Sequence, residues 1–587
     1  MTRTSESRPI RRRRRESAVW GPLLSLTVLG FWSSGVIAAG PPPPPPPPPT
    51  PDYNISDAVK DANAPKELPK QPPPGAPVIL QEKDAPQTEA NGPKILVRDF
   101  RVEGAEFIEP EDLQRVLGPY RNRELTIGQI NEVANRLTVL CRNRGYLVAR
   151  AFVPKQEMHD GVLVIKLVAG KYGKFQIKDS SRVHSEFLQG MFEAARSNSP
   201  IVTRESLERT MLLVGDMPGA RTPEVSISAG SEPGTSDFTV AVNSSDVLNG
   251  YVLADNFGSR FTGKDRLSAG LDLNSPFGIG DKIALSGMST SAAGLQNARL
   301  AYDFPLTHDG LRGEFAAWRT TYKLGAEFEN LNANGVADAV EGTLSYPLRR
   351  TRDDSIYVSM TLADKYLRDD TAVPVTTIAK RAKVAVLGLQ NDSYGRLFGL
   401  NSFVSIGGSL TLGKLKFSDE MQAKLNQRGA DTAGHYRKLN LSYNGLLSFT
   451  SKWSLATSLR AQESLNKNLD GSEQLSISGV GGIKSYPDGV TNDNGVLLGA
   501  ELKYALPALG ALNQTSGMFA NYGEVSPAHG SYTTVRKVAI SDAGFAYDAS
   551  FKNAFGRAQV ARTTGSQKET SPDNHEWKAL VLLGARF

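Results

Sequence analysis

The sequence is poor in the features that stabilise small secreted proteins and helical membrane proteins. It contains one cysteine, Cys141, among 587 residues, which excludes an internal disulfide framework. Its mean hydropathy of −0.30 excludes a protein built from many membrane-spanning helices. Hydrophobic residues still make up 40% of the chain, so most of it can fold around apolar cores. The length predicts several domains.

Catalytic and metal-binding motifs are also missing from the sequence. The six histidines are scattered, without the H-E-x-x-H spacing of a zinc site. No G-x-S-x-G nucleophile motif occurs, and no spacing singles out a pair of carboxylates. We therefore predict that the protein is not an enzyme and has no catalytic residues, cofactor or metal ion.

One segment, GSRFTGKD at Gly258 to Asp265, has the G-x-x-x-x-G-K spacing of a phosphate-binding loop. Such a loop has Ser or Thr where this chain has Asp265, and it opens a helix. The next residues here, RLSAGLDL, alternate apolar and polar side chains as in a strand. We therefore expect no nucleotide to bind this segment.

Positive charge is concentrated at the N-terminus. The net charge is +6, and residues 1–39 hold seven Arg and two Glu, or +5, which leaves +1 for the rest. The run Arg11 to Arg15 precedes an apolar stretch, Ala18 to Trp32, and then small residues, which is the pattern of a secretory signal peptide. The alternatives are an anchor helix and nucleic-acid binding by the arginines. We predict a signal peptide over 1–39, an exported protein and no nucleic-acid partner.

A proline-rich segment follows at 40–94. Its nine consecutive prolines, Pro41 to Pro49, cannot form helix or sheet and extend as a polyproline II rod. We interpret the segment as a semi-rigid spacer. Within it only Tyr53 to Ala62 is compatible with a short helix.

Two consecutive α+β modules of equal size are predicted at 95–171 and 172–245. In the first, a strand and a short helix precede a longer helix that begins at a capping box formed by Thr126 and Gln129. Two strands then follow. Cys141 lies beside the apolar face of the long helix and is expected to pack in the core. The second module repeats this order, which suggests an internal repeat.

The remaining 342 residues, 246–587, alternate between apolar and polar side chains. This pattern is typical of a transmembrane β-barrel, whose strands face lipid on one side and a polar lumen on the other. The sheet has to close, because an open edge would leave backbone groups unpaired in hydrocarbon. About 16 antiparallel strands fit at roughly 21 residues each. One face of two such strands is formed by Leu267, Ala269, Leu271, Leu273, Val496, Leu498, Ala500, Leu502, Tyr504 and Leu506.

The chain ends in HEWKALVLLGARF, which places apolar side chains on one side of a final strand and closes on Phe587. A terminal Phe on an alternating strand resembles the targeting signal of outer-membrane barrels. A terminal strand of a soluble sandwich is the alternative. The apolar side comprises Trp577, Ala579, Val581, Leu583, Ala585 and Phe587.

Three segments resemble the two-partner secretion transporters of the ShlB/FhaC/HecB family, within the BamA-like superfamily. GYLVARAFVPKQEMHDGVLVIKLVAGKYGKFQI (Gly145 to Ile177) is similar to their first polypeptide-transport-associated (POTRA) domain. DMPGARTPEVSISAGSEPGTSDFTVAV (Asp216 to Val242) is similar to the end of the second. DNFGSRFTGKDRLSAGLDLNSPFGIGDKIALSG resembles the first two barrel strands. The resemblance covers 95–587 and implies a barrel in the bacterial outer membrane with two POTRA domains in the periplasm.

The resemblance also implies that one long extracellular loop folds back into the barrel, with Val-Arg-Gly-Tyr or Phe at its tip. The matching residues in GGIKSYPDGV are Ile483, Lys484, Ser485 and Tyr486. The family's Arg pairs with the Asp of a Phe-x-Asp-x-Gly strand, for which FANYGEV supplies Phe519, Asn521 and Gly523. The ion pair would become at most one ammonium-to-amide hydrogen bond. We predict that the loop plugs the pore; the alternative is a long surface loop.

The function that the resemblance implies is secretion. The POTRA domains would recognise one unfolded exported partner, a large adhesin- or hemolysin-type protein, by adding a client strand to their sheet edges. The barrel would then pass it outward without ATP, and a plug helix would lie across the periplasmic mouth. Outer-membrane lipids and the barrel assembly machinery are further expected partners. Two alternatives are a factor that inserts other barrels into the outer membrane and a passive diffusion porin.

Overall fold

The structure is a computed structural model, and its first described elements belong to the spacer. They are a helix, α1 (Ile55–Ala62), and a three-residue strand, β1 (Val78–Leu80). The predicted signal peptide and the proline run lie outside the described residues. No described helix combines the length and the apolarity that a membrane crossing needs. The described residues are 54–62, 78–80, 93–479, 481–486, 489–533, 537–565 and 577–587.

The first module has a three-stranded sheet of order β3-β6-β5 and a separate antiparallel pair, β2 and β4, with helices packed beside them. Its elements are β2 (Lys94–Val97), β3 (Asp99–Glu103), α2 (Pro110–Leu117), a 3₁₀ turn (Gly118–Tyr120), β4 (Arg123–Thr126), α3 (Ile127–Asn143), β5 (Arg150–Phe152) and β6 (Val162–Val168). The capping box forms as predicted. The Gln129 amide N–H donates to the Thr126 hydroxyl at 3.2 Å, and the Thr126 N–H donates to the Gln129 side chain at 2.9 Å.

Cys141 packs inside this module. Its side chain is fully buried in an apolar cluster that also contains Val133, Leu137 and Ile165. Burial raises the pKa of the thiol to about 11, so the reactive thiolate is scarce near neutral pH. Cys141 therefore fills space in the core, in agreement with the sequence interpretation.

The second module repeats the α+β plan, but its sheet gains a strand from the spacer. The elements are β7 (Lys171–Ser180), α4 (Ser185–Asn198), α5 (Arg204–Gly215), β8 (Glu224–Ala229) and β9 (Thr235–Asn243). The sheet order is β1-β8-β9-β7, and β1 lies parallel to β8 with Val78 opposite Val225. The edge of β8 is therefore covered by a segment that the sequence analysis left without structure.

The rest of the chain forms a closed antiparallel barrel of 16 strands, which confirms the predicted fold. The order is β10 through β20 and then β23 through β27, because β21 and β22 form a small pair inside one connection. The elements are β10 (Leu248–Asp255), β11 (Arg266–Asn274), β12 (Lys282–Thr290), β13 (Leu295–Pro305), β14 (Arg312–Lys323), β15 (Asn334–Arg350), β16 (Asp354–Ala372), β17 (Val375–Leu397), β18 (Leu400–Phe417), α6 (Glu420–Arg428), β19 (Gly434–Ser448), β20 (Trp453–Ser464), β21 (Leu475–Ser476), β22 (Thr491–Asn492), β23 (Asn494–Ala505), β24 (Leu512–Ser526), β25 (Val538–Phe551), β26 (Ala554–Thr563) and β27 (Trp577–Arg586).

The barrel closes between its first and last strands. The Phe587 N–H donates to the Gly250 carbonyl at 3.0 Å, and the Gly250 N–H donates to the Phe587 carbonyl at 2.9 Å. Gly258 to Asp265 is the connection between β10 and β11, so the phosphate-loop spacing precedes a strand, as expected. The barrel wall is uneven in height, because β17 has 23 residues whereas β10 has eight.

The second module is fixed to the end of the barrel at which β10 begins, here called the module end; the opposite end is the distal end. The Arg350 guanidinium donates to both carboxylate oxygens of Asp216, at 2.7 and 2.8 Å. Gly219, in the motif Pro218-Gly219, has a φ of +92°, and a Cβ there would lie 2.5 Å from the Cβ of Ser275. Glycine is therefore required where the module meets the barrel.

Candidate functional site

The connection between β20 and β23, residues 465–493, folds back into the barrel and is here called the lumen loop. Its first half is anchored by ion pairs to side chains that point inward from the wall. The Lys380 ammonium lies 2.8 Å from the Asp470 carboxylate. Glu473 takes two ammonium groups, those of Lys365 at 3.2 Å and Lys438 at 3.0 Å. We call these five residues the anchor cluster.

Lys380, Asp470 and Glu473 of the anchor cluster are buried, and Lys365 and Lys438 are partly buried. Glu473 is 5% exposed, and this burial by itself opposes ionisation, but the ammonium groups of Lys365 and Lys438 outweigh it and hold the pKa of Glu473 at about 2. Two lysines facing one carboxylate keep it charged across the physiological pH range. Removing one partner of such a buried pair leaves an uncompensated charge and costs about 3–5 kcal/mol.

Helix α1 lies inside the distal end of the barrel. Its apolar side, with Ile55 and Ala58 fully buried, packs on wall and loop side chains. The predicted plug helix at the periplasmic mouth is therefore wrong in its position. The residues that α1 contacts lie at the distal ends of the strands and in distal loops. The packing partners are Phe261, Met288, Leu295, Tyr322, Leu324, Phe328, Leu331, Ala333, Ala337 and Leu367.

Polar contacts at the N-terminus of α1 tie the helix to the wall and to the lumen loop. The Ile55 N–H and the Tyr322 hydroxyl both donate to one carboxylate oxygen of Asp369, each at 2.8 Å. The Ser56 hydroxyl donates to Asp470 at 3.5 Å. Asp470 therefore belongs to the anchor cluster and also contacts the N-terminus of α1. This residue physically connects α1 and the lumen loop.

The tip of the lumen loop packs against the inner wall formed by β23, β24 and β25. Ile483 and Tyr486 are 0% and 1% exposed. A Cβ at Gly523 would lie 2.9 Å from the Cβ of Ile477, so the glycine on β24 allows the loop backbone to come close. The other members of this apolar cluster are Leu475, Val490, Leu497, Val525, Ile540 and Val538.

The polar contacts of the tip centre on a residue that the sequence analysis did not name, Asp542 on β25. One of its carboxylate oxygens accepts the Ser485 N–H at 2.9 Å, and the other accepts the Asn521 amide at 2.7 Å. Asp542 also attracts Lys484 electrostatically. The Lys484 ammonium lies 4.6 Å from the centre of the Phe519 ring, a cation–π contact.

The structure thus brings the predicted tip and strand residues together around Asp542. Asn521 and Asp542 are directly opposite each other in the register of β24 and β25. An acidic residue on the neighbouring strand therefore supplies the carboxylate that Asn521 lacks. A search of adjacent inward-facing positions for a buried acid could have found Asp542, which is 1% exposed.

The contacts described above hold the lumen loop against the barrel wall. Among the residues for which the structure gives coordinates we can describe, no three His, Cys, Asp or Glu side chains are grouped to hold a metal ion. The chain therefore combines a closed 16-stranded barrel, two small α+β modules before it and a loop that folds back into the barrel.

Comparison with known proteins identifies the family. The profile described as "Haemolysin secretion/activation protein ShlB/FhaC/HecB" matches residues 234–548, more than half of the chain, and that of the ShlB-type POTRA domain matches residues 95–170. The chain belongs to the ShlB/FhaC/HecB family. It is an outer-membrane transporter of the secretion type, with its POTRA domains in the periplasm.

Similar proteins include the heme/hemopexin transporter protein HuxB of Haemophilus influenzae strain 86-028NP. It is 25% identical over 417 residues, which cover 70% of this chain and 72% of the relative. The outer membrane transporter CdiB of Escherichia coli is 24% identical over 447 residues, or 72% of each chain. The solved structure of CdiB from Escherichia coli has a TM-score of 0.69 at 19% identity, and the match covers 91% of this chain and 95% of that one. These relatives favour secretion over the barrel-assembly alternative. The module end of the barrel is thus periplasmic and the distal end extracellular.

Proposed function

We propose that this transporter recognises one unfolded exported partner, a large adhesin- or hemolysin-type protein, and passes it outward through the barrel without ATP. The observation that carries the proposal is that Asp470 of the lumen loop contacts Ser56 of α1, so both elements inside the barrel share this residue. Two elements that fill one lumen and contact each other can clear it in sequence for an extended chain. A diffusion porin has no need of elements that leave the lumen.

Recognition of the partner by strand addition is supported by β1. This spacer segment already pairs with the edge of β8 through backbone hydrogen bonds, so the edge is able to take an added strand. Such pairing is tolerant of sequence, and specificity comes from the side chains that flank it. A client strand that displaces β1 would pull on the spacer that leads to α1, and so recognition in the periplasm would reach the plug helix.

The tip residues Ile483 to Tyr486 act in this proposal as a gate, with Phe519, Asn521 and Gly523 as their seat on the wall. Phe587 acts as the targeting residue that the barrel assembly machinery reads during biogenesis. Outer-membrane lipids surround the finished barrel. None of these residues takes part in covalent chemistry.

A protein inventory of the culture medium and of the outer membrane, with and without this gene, tests the function. We expect one very large protein to disappear from the medium while the outer membrane stays unchanged. A variant lacking the β1 residues 78–80 serves as a second comparison, since it keeps the barrel. If several barrel proteins decline in the outer membrane and the medium is unaltered, the chain is an assembly factor and the proposal is wrong.

A further inference from the structure

The outer face of the tall side of the barrel changes abruptly from apolar to basic toward the extracellular end. The lower positions of β16 to β19 carry Leu362, Ala385, Leu412 and Leu439, all pointing outward. The next outward positions toward the extracellular end carry Asp364, Lys383, Lys414 and Arg437. Such a change from apolar to basic side chains is expected where the hydrocarbon of the outer leaflet meets its headgroups.

Four exposed basic residues, Lys383, Lys414, Lys416 and Arg437, lie together at this boundary and are here called the outward basic patch. Lys383 is directly opposite Lys414 in the register of β17 and β18. Like charges at directly opposed positions of neighbouring strands repel each other. The patch is therefore an arrangement that a bound anion would stabilise.

One nearby carboxylate, Asp364, lies directly opposite Lys383 in the register of β16 and β17 and attracts it electrostatically. Asp364 is held by Arg381 through two hydrogen bonds of 2.7 Å each. In the part of the chain that the structure describes, no ion pair within 4.0 Å joins a carboxylate to Lys414, Lys416 or Arg437. On the opposite wall, by contrast, the exposed Lys537 is paired with Glu524 at 2.6 Å.

The patch borders an apolar groove, which indicates the kind of anion. The residues that line a shallow groove on this face include Phe315, Leu362, Leu412, Lys383, Lys414 and Arg437, together with the Asp364 carboxylate. Its apolar side chains lie toward the membrane, and its basic side chains lie toward the extracellular end. This order matches an amphiphile whose acyl chains lie below a phosphate-bearing headgroup.

We propose that the outward basic patch and the groove below it form a binding site for the phosphorylated glycolipid of the outer leaflet, lipid A. Ammonium and guanidinium groups of Lys383, Lys414 and Arg437 bind its phosphates, and the apolar positions contact its acyl chains. The site would hold the tall side of the barrel at a fixed depth and tilt in the asymmetric membrane. The proposal does not depend on the identity of the secreted protein.

Native mass spectrometry of the detergent-purified full chain tests this site, with bisphosphorylated lipid A and its fully dephosphorylated form as probes. The variant Lys383→Gln/Lys414→Gln/Arg437→Gln removes three charges from the patch. The control Arg396→Gln/Lys452→Gln/Lys552→Gln removes three charges from exposed positions at the periplasmic end. We expect the patch variant to lose about 100-fold in affinity for bisphosphorylated lipid A, since each basic residue near an anionic lipid surface contributes about fivefold. The control should bind as the wild type does.

Three results would overturn the proposal. One is equal binding by the patch variant and the control, and another is equal binding of the phosphorylated and dephosphorylated lipids. The third is displacement of the lipid by millimolar inorganic phosphate, which would show a simple anion site. If the triple variant does not fold, as judged by heat-modifiable migration in gels, Lys414→Gln alone should lose about fivefold.

Discussion

Helix α1 and the lumen loop occupy the same barrel but are held in different ways. The helix has eight residues, too few for stability on its own, and it depends on apolar packing plus the hydrogen bonds at Asp369 and Asp470. The loop is covalently continuous with β20 and β23 and is fastened by three ion pairs whose carboxylates are buried. This difference suggests the order in which the two elements leave. Helix α1 can leave the barrel while the lumen loop stays. If the anchor cluster breaks, however, α1 also loses its contact with Asp470.

The largest effect is expected from Glu473→Gln. This change leaves the partly buried ammonium groups of Lys365 and Lys438 without their carboxylate, which costs about 3 kcal/mol. The loop should detach from the wall and α1 should follow, so open-channel events in planar bilayers should become at least about 100-fold more frequent. Glu420→Gln, which breaks the exposed pair between Glu420 and Lys424 at 2.9 Å, is the matched control. An unchanged conductance record for Glu473→Gln would show that the anchor cluster does not hold the loop.

Acid should mimic that variant, within a defined range of pH. The pKa of Glu473 lies at about 2, below its ordinary value of 4.5, so the stabilisation is complete above about pH 4.5 and is lost as the pH falls toward 2. The loss amounts to about 3 kcal/mol at ~1.4 kcal/mol per pH unit. Asp470, whose pKa is likewise lowered by Lys380 despite its burial, acts in the same direction.

Conductance measured between pH 7 and pH 3 checks this expectation. The wild type should be steady from pH 7 to about 5 and should open progressively below that range. Glu473→Gln should be open throughout and should respond less to acid. A wild-type transition centred near pH 6 would point to a different titrating group.

A smaller and more selective effect is expected from Asp369→Ala. The Ile55 N–H and the Tyr322 hydroxyl lose their acceptor, which costs about 1–2 kcal/mol. A spin label at Val59, in a Cys141→Ser background, should show an approximately tenfold larger mobile fraction. A label at Ser485 on the lumen loop should stay immobile.

Asp370→Ala is the control for that experiment, because Asp370 lies on the outward side of the same strand and bonds Arg368 and Thr377. If the labels on α1 and on the loop tip become mobile together, the two elements leave as one unit. The order inferred from the comparison would then be wrong.

The sequence predicted the covalently local features well, because they follow from residue spacing. The capping box at Thr126 and Gln129, the burial of Cys141 and the 16 alternating strands all needed only neighbouring residues. The position of α1 was beyond such reasoning, since its partners lie more than two hundred residues away in the chain. The pairing of β1 with β8 was missed for the same reason.

The tip of the lumen loop shows where sequence reasoning stops at the site itself. The family pattern located Lys484 and Asn521, but not the carboxylate that serves them. Asp542 is 57 residues from Ser485 in the chain and meets it only because β24 and β25 are neighbours in the wall. Register between strands is set by the whole barrel, and so a residue opposite Asn521 could not be chosen from one motif.

The exchange of Asn521 and Asp542 gives an effect as small as that of Asp369→Ala and tests the contacts of the loop tip most directly. Asp542→Asn removes the only charge from the pair, and Asn521→Asp places two carboxylates side by side; each should loosen the tip by about 1–2 kcal/mol. The double variant Asn521→Asp/Asp542→Asn keeps one carboxylate and one amide beside Ser485 and Lys484, so it should recover most of the loss. Maleimide labelling of Ile483→Cys in a Cys141→Ser background reports exposure of the tip. Labelling should be about tenfold faster in each single variant and close to the parent rate in the double variant. If the double variant instead labels faster than either single variant, so that the two losses add, Asn521 and Asp542 do not act as a pair.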